Sequence, residues 1–138
     1  FIYDVIIVDM SHVLNEVNVF ALDFCDLALI VTTNCPMDLK NVATLVTLFK
    51  NLNINKYRIL LNESTNPLKQ YFSMYDIKNI IKANIDYHLS TEFYMTDIEK
   101  LIMDGKIATL NSRLIKNFQS DYAALLNLAA DIVGGSNE

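Results

Sequence analysis

The stretch LALIVTTNCPMDLKNVATLVTLFKNLNINKYRILLN, residues 27–62, decides the fold class of this protein. Two segments within it predict buried strands: the continuous apolar run 27–31, and 57–61, which is apolar except for Arg58. Between them, Pro36 and Asp38 begin a segment with the 3.6-residue period of a helix, whose apolar positions are Leu39, Val42, Ala43, Val46, Phe49 and Leu52. A strand, a helix and a second strand in this order predict a unit of parallel sheet.

The same alternation continues on both sides of this stretch. Residues 2–9, which contain the run Val5-Ile6-Ile7-Val8, predict a further buried strand, and a short helix is expected over 15–24. Towards the other end, Ser73 followed by Asp76 is a capping signature for a helix, and residues 85–89 predict a short fourth strand.

Two more helices are expected after the fourth strand. The first is capped by Thr96 with Glu99 and ended by Gly105. The second runs from about 112 to 133, with one apolar stripe for packing on the sheet: Ile115, Phe118, Tyr122, Leu125, Leu126, Ala129 and Ile132. Its polar face carries Lys116 but also Asp121 and Asp131, which does not favour a basic helix at a membrane surface.

The predicted element order is therefore β-α-β-α-β-α-β-α-α. This order indicates an α/β fold with three layers, a mostly parallel sheet and helices on both faces. There is no repeat and no linker, so residues 1–138 are interpreted as a single α/β domain or half-domain. In such sheets ligands bind beyond the carboxyl ends of the strands, which directs the search for a site to those ends.

Composition narrows the classes of function. The net charge is −5 and the eleven Lys and Arg residues form no stripe, so no nucleic-acid partner is expected. No apolar run approaches the roughly 18 residues of a membrane span, so no direct membrane insertion is expected. Two isolated cysteines favour the reducing cytoplasm.

The first 104 residues contain no glycine, and the three present are Gly105, Gly134 and Gly135. Taken by itself, the sequence therefore excludes a self-sufficient P-loop or Rossmann enzyme.

Four polar residues close the predicted strands and are the candidates for chemistry. Asp9 ends an apolar strand, as does the Walker B carboxylate that holds Mg²⁺ through water, although a structural or capping role explains it too. Asn62 can donate and accept at once, which suits the edge of an adenine ring or, equally, a turn. Thr32 and Thr33 suit a phosphate or a partner backbone, or simply the approach to a helix cap.

Six segments in this order resemble the MinD/ParA-type deviant Walker ATPases, and within them the CpaE/TadZ-like branch that serves pilus assembly. Tyr3 to Asp9 is similar to the family's Walker B strand, and residues 72–77 (FSMYDI) are similar to the branch's xISxxDI segment. The other four similar segments are 21–33, 38–42, 58–62 and 98–107. The resemblance covers nearly the whole chain but only the carboxyl-terminal half of the family's ATPase domain.

The resemblance implies a partial P-loop NTPase of the SIMIBI type that binds ATP and Mg²⁺ between the two subunits of a homodimer. Residues 1–138 would be the distal part of this ATPase, without the Walker A loop, which an upstream half would supply. Asp9 would be the Walker B residue and Asn62 the adenine-side residue, while Ser11 falls in a switch-like stretch. Neither tight binding of ATP nor ATPase activity is expected of the 138 residues alone.

The branch implies a role in positioning pilus-assembly or secretion machinery. The partners would be pilus-assembly or polar-localisation proteins, and the protein would be cytoplasmic, at a pole or peripheral to the inner membrane through those partners. Two residues depart from the family: Glu63 stands where an Arg usually follows the Asn, and Ile107 replaces a Pro. These departures leave open whether the intact protein hydrolyses ATP or only binds it.

Two alternatives remain at this point. The same fold could serve as a non-enzymatic interaction scaffold, or as a receiver-like signalling domain with Asp9 as phosphoacceptor and Thr32 or Thr33 as its switch hydroxyl. The receiver reading lacks an upstream acidic pair and has Asn62 where a Lys is expected. In every case an uncovered edge strand is expected to pair with another copy or by strand exchange.

Overall fold

The computed structural model describes residues 2–11, 13, 15–63, 72–95 and 98–134. Three parallel strands form one sheet in the order β1-β2-β3. The elements are α1 (Glu16–Phe24), β1 (Ala28–Thr32), α2 (Pro36–Asn51), β2 (Tyr57–Asn62), α3 (Met74–Ile81), β3 (Tyr87–Leu89), α4 (Thr91–Met95), α5 (Ile98–Met103), a 3₁₀ turn (Ala108–Leu110), α6 (Ser112–Asn117) and α7 (Gln119–Gly134). The predicted α/β class with a parallel sheet is confirmed.

One face of the sheet is covered by α1, α2 and α3, and this face holds the main core. The pattern predicted for α2 is confirmed at Leu39, Val42, Val46 and Phe49, which are all buried, but not at Leu52, which follows the helix and is exposed. The buried residues pack with side chains from the other elements of this layer: Leu22, Ala28, Ile30, Ile59, Leu61, Ile77 and Ile81. Burial of this apolar surface is the main stabilising contribution to the layer.

The opposite face is covered by α7, and only part of the predicted stripe, including Leu125, faces the sheet. Its partly buried Ala124, Leu125 and Leu128 pack against buried β2 and β3 side chains, namely Leu60, Tyr87 and Leu89. The predicted stripe residue Leu126 is exposed, whereas Asp121, assigned to the polar face, is buried. The predicted single helix is also divided at Phe118.

The expected first strand over residues 2–9 is not formed. No strand is assigned to these residues, and Ile7, in the middle of the apolar run, is 83% exposed. A strand needs neighbours that satisfy its backbone N–H and C=O groups, and within the described residues none pairs with this segment. Apolar composition alone therefore predicted a strand that the structure does not contain.

Two local predictions about helix ends are confirmed. Ser73 and Asp76 form a reciprocal capping box at the start of α3, in which the Ser73 hydroxyl accepts from the Asp76 N–H and the Asp76 carboxylate accepts from the Ser73 N–H. Gly105 follows α5 with a φ of 66°, the left-handed conformation expected after a helix end. The predicted cap Thr96 lies outside the described residues.

Candidate functional site

Asn62 ends β2 at the carboxyl edge of the sheet. Its neighbours there are Leu61, which lies opposite Thr32 of β1, and Leu89 of β3, which lies opposite Asn62 itself. The Asn62 side chain is half-buried, and within the described residues its amide group makes no hydrogen bond. The amide is therefore free to donate to and accept from a ligand at this edge.

The hydroxyls of Thr32 and Thr33 are occupied by the turn that leads into α2. Thr32 is buried and donates to the carbonyl of Thr33 at 3.2 Å. The Thr33 hydroxyl accepts from the Cys35 N–H at 3.1 Å and donates to the carboxylate of Asp38. Because Pro36 begins α2 without an N–H group, these contacts fix how the chain enters the helix. Their phosphate-side or partner-side role stays a prediction.

Asp9 and Ser11 lie in the segment that forms no strand. The Asp9 side chain is exposed and, within the described residues, makes no ion pair or hydrogen bond. Ser11 is tied to the first turn of α1, because the side-chain amide of Asn18 donates to its carbonyl at 3.0 Å and its hydroxyl at 3.1 Å. Asp9 therefore does not close a sheet strand in this structure, and the metal role assigned to it stays a prediction.

Glu63, noted only as a departure from the family, is the centre of the polar contacts at this edge. Its carboxylate accepts from the Thr91 hydroxyl at 3.2 Å and from the Thr91 N–H at 3.4 Å. The other carboxylate oxygen lies 3.1 Å from Nε2 of His88. Glu63 thus joins the end of β2 to β3 and to the start of α4. The signal in the sequence was an acidic residue directly after a strand-ending Asn, but its partners are more than twenty residues away.

A second contact at this edge comes from α7. Buried Asp121 accepts from the backbone N–H of Ser90 at 2.5 Å, and the Ser90 hydroxyl accepts from the Phe93 N–H at 3.3 Å. Phe93 in turn meets Phe118 edge to face, with ring centroids 5.7 Å apart. The turn between β3 and α4 is therefore held from both sides.

A cavity of about 290 Å³ opens beside these contacts. It is lined by His88, Ser90, Glu92, Asn117, Phe118, Gln119, Ser120 and Asp121. Its volume is near the lower limit for a small-molecule site. Among the residues that the structure describes, no group of three or more His, Cys, Asp or Glu side chains is placed to hold a metal ion.

None of the described helices has both the length and the apolar character needed to cross a bilayer. Among the residues that the structure describes, the carboxyl edge of the sheet provides the free amide of Asn62, and the turns that follow the strands there are held by Glu63 and Asp121.

No protein-family model matches the sequence, and no curated protein matches it. Among solved structures, the chain is similar to a chain of the MinC:MinD cell division protein complex of Aquifex aeolicus, with a TM-score of 0.64 and 18% sequence identity. The similarity covers 88% of this chain and 48% of that chain, so this protein spans about half of its length. At this identity the likeness concerns the fold alone: the chain has a MinD-like α/β fold, and the CpaE/TadZ branch stays a prediction.

Proposed function

We propose that this chain is the distal half of the ATP-binding domain of a MinD-like positioning protein. The observation that carries the proposal is the carboxyl edge of the sheet, where the free amide of Asn62 ends the middle one of three parallel strands in a MinD-like fold. Ligands of open parallel sheets bind at this edge.

In this proposal Asn62 contacts the edge of the adenine ring, because an amide can pair with both a donor and an acceptor on one base. The exposed carboxylate of Asp9 holds Mg²⁺ through water, which neutralises phosphate charge when ATP is bound. Asp9 and Ser11 reach the nucleotide at this edge only after the segment 2–11 moves to the sheet, since the segment forms no strand here and Asn18 holds Ser11 beside α1.

The glycine-rich phosphate loop is not in these residues, because no glycine precedes Gly105. We therefore assign the loop, and with it any ATP turnover, to a further part of the protein. The 138 residues alone bind ATP weakly and do not hydrolyse it. The intact protein is proposed to bind ATP and Mg²⁺ as a homodimer.

The task served by this ATP site is proposed to be the placement of pilus-assembly or secretion machinery, in the cytoplasm, at a pole or beside the inner membrane. The support is the likeness of residues 72–77 to the CpaE/TadZ segment. That segment leads into α3, whose capping box fixes where the helix begins.

Calorimetric titration of ATP with Mg²⁺ into the full-length protein tests the proposal. We expect saturable binding that Asn62→Ala and Asp9→Ala each weaken about tenfold, equivalent to about 1.4 kcal/mol. Asn84→Ala, which alters an exposed Asn at the other edge of the sheet, is the matched control and should bind normally. Absence of binding by the intact protein would remove the ATPase proposal.

The second candidate is a non-enzymatic interaction scaffold. Two observations favour it: Asp9 does not lie at the end of a strand, and the hydroxyl of Thr33 is occupied by Asp38. On this account the intact protein binds its partners equally well with and without ATP. Pull-down of pilus or secretion proteins in both conditions separates the two candidates, since the first requires nucleotide-dependent capture.

A further inference from the structure

Glu63 follows Asn62 directly and ties the end of β2 to the neighbouring strand. Its backbone N–H donates to the carbonyl of Leu89 at 3.0 Å, just beyond the last residue pair of β2 and β3. Its carboxylate accepts from the hydroxyl and the N–H of Thr91, at 3.2 and 3.4 Å. Glu63 is therefore attached to β3 through its backbone and to the start of α4 through its side chain.

The Glu63 carboxylate suits Thr91 in a way that the arginine of the family pattern would not. The side chain of Glu63 is 12% exposed and Thr91 is 2% exposed, so water competes little for this contact. Thr91 directs two donors at Glu63, and a guanidinium group has donors only. The glutamate that departs from the family at this position thus has a specific local partner.

Asn62 depends on this attachment for its own orientation. On its amino side the backbone is held by the pairing of β2 with β1 and β3, and on its carboxyl side it is held by Glu63. The side-chain amide of Asn62 makes no hydrogen bond within the described residues. Fixing the backbone at such a side chain before a ligand arrives removes part of the ordering cost from binding.

The orientation of an amide matters because its two ends differ. Adenine presents the N6 amino donor beside the N7 acceptor, whereas guanine presents the O6 and N7 acceptors. One orientation of an asparagine amide pairs with both adenine atoms, and in that orientation its oxygen faces the guanine O6 with no hydrogen between them. An amide that turns freely still donates to guanine. Discrimination between the two bases therefore requires an amide that is held.

We propose that Glu63 is a positioning residue that gives the nucleotide site its preference for adenine over guanine, by holding Asn62 in one orientation. This inference rests on the proposed function, since it takes the base to lie against the Asn62 amide. Glu63 does not touch the base. It acts through the backbone that it shares with Asn62 and through its contact with Thr91. Its loss leaves a site that binds ATP more weakly and GTP about as well as before.

Calorimetric titration of the full-length protein with ATP and with GTP, each with Mg²⁺, tests this role. We expect the wild type to bind ATP at least about tenfold more tightly than GTP. Glu63→Ala should reduce this ratio to about threefold or less, and Thr91→Val should reduce it from the other end of the contact. Glu63→Gln keeps an acceptor oxygen for Thr91 and should retain the wild-type ratio.

The ratio of the two dissociation constants separates positioning from stability, because a smaller folded fraction weakens the binding of both nucleotides equally. Ile81→Val removes a methyl group from the core at the end of α3 and is the control. It should lower stability and leave the ratio unchanged. In a protein that already carries Asn62→Ala, adding Glu63→Ala should change neither dissociation constant by more than about twofold.

The outcomes distinguish this inference from the proposed function. A wild type that binds neither nucleotide would overturn the nucleotide site and this inference with it. A wild type that prefers ATP, loses the preference in Asn62→Ala and keeps it in Glu63→Ala and Thr91→Val would overturn the role of Glu63 alone. So would a full effect of Glu63→Ala in the protein that already lacks the Asn62 amide.

Discussion

The carboxylate of Asp121 accepts a hydrogen bond from the backbone N–H of Ser90 across 2.5 Å and is itself buried. Ten residues further along α7, about 15 Å, Asp131 accepts from the hydroxyl of Tyr87. The last helix is thus attached to the sheet by an acidic residue near each end, with apolar packing between them. The Asp121 contact holds the turn after β3 at the carboxyl edge, where the proposed site lies, whereas the Asp131 contact lies at the start of β3.

Asp121→Ala should lower the free energy of unfolding by about 1–3 kcal/mol, because the Ser90 N–H loses its acceptor. Asp121→Asn keeps an acceptor oxygen and should recover most of this loss. Asp104→Asn, at an exposed pair with Lys106, is the control and should change stability by less than about 0.5 kcal/mol. Urea unfolding measures all three. Equal effects of the Ala and Asn variants at residue 121 would contradict the assigned hydrogen bond.

Glu63→Ala should lower the free energy of unfolding by about 1–3 kcal/mol, because it leaves the buried hydroxyl of Thr91 without its acceptor. The ion pair of Glu63 with His88 should contribute little to the stability, since the His88 side chain is 41% exposed. A double-mutant cycle of Glu63→Ala with His88→Ala should therefore give a coupling energy below about 1 kcal/mol. A larger coupling would mean that the ion pair, and not Thr91, is the main contact of Glu63.

Stability should fall at alkaline pH through Tyr87. Burial, followed by the hydrogen bond to Asp131, raises the pKa of Tyr87 from 10.0 to about 12. The neutral phenol is therefore favoured by folding, so its contribution is complete below pH 10 and is lost as pH rises through about 12. Unfolding measured between about pH 9 and 12 should show this loss, and Tyr87→Phe should flatten it relative to the wild type. Parallel pH curves for the two proteins would contradict the assignment.

Gly105→Ala should destabilise the protein by about 1 kcal/mol, because its φ of 66° is unfavourable for residues with a Cβ atom. Space is not the reason, since no atom lies within 4 Å of the added Cβ. Gly134→Ala is the matched comparison: it has equal space but lies at the end of α7, so stability should be unchanged or slightly higher. Thermal unfolding of both variants checks the contrast, and equal losses would contradict it.

Features that depend on neighbouring residues were predictable from the sequence. The strand over 57–61, the period of α2 and the Ser73 capping box were confirmed, because each depends on residues that are close together in the chain. The strand predicted over residues 2–9 was wrong for the opposite reason. Their composition favours a strand, but a strand also needs a partner edge, and composition does not contain that information.

The candidate site was predictable only in part, for the same reason. Asn62 could be placed at the carboxyl edge because strand order alone brings it there. Glu63 and Asp121 accept hydrogen bonds from Thr91 and Ser90, which lie about thirty positions away in the chain. No local sequence pattern therefore revealed these contacts. Asp121 was assigned to solvent because a buried acidic residue with a backbone partner looks, in sequence, like a polar helix face.

The central claim is that the carboxyl edge of this sheet is the nucleotide side. Amide NMR of the full-length protein with ¹⁵N-labelled asparagine tests it directly, with the Asn62 side-chain signal assigned by its loss in Asn62→Ala. On titration with ATP and Mg²⁺, we expect the Asn62 signal to shift saturably while that of Asn84, beside the cavity at the opposite edge, stays in place. An unmoved Asn62 signal, or a shift at Asn84 instead, would contradict the account.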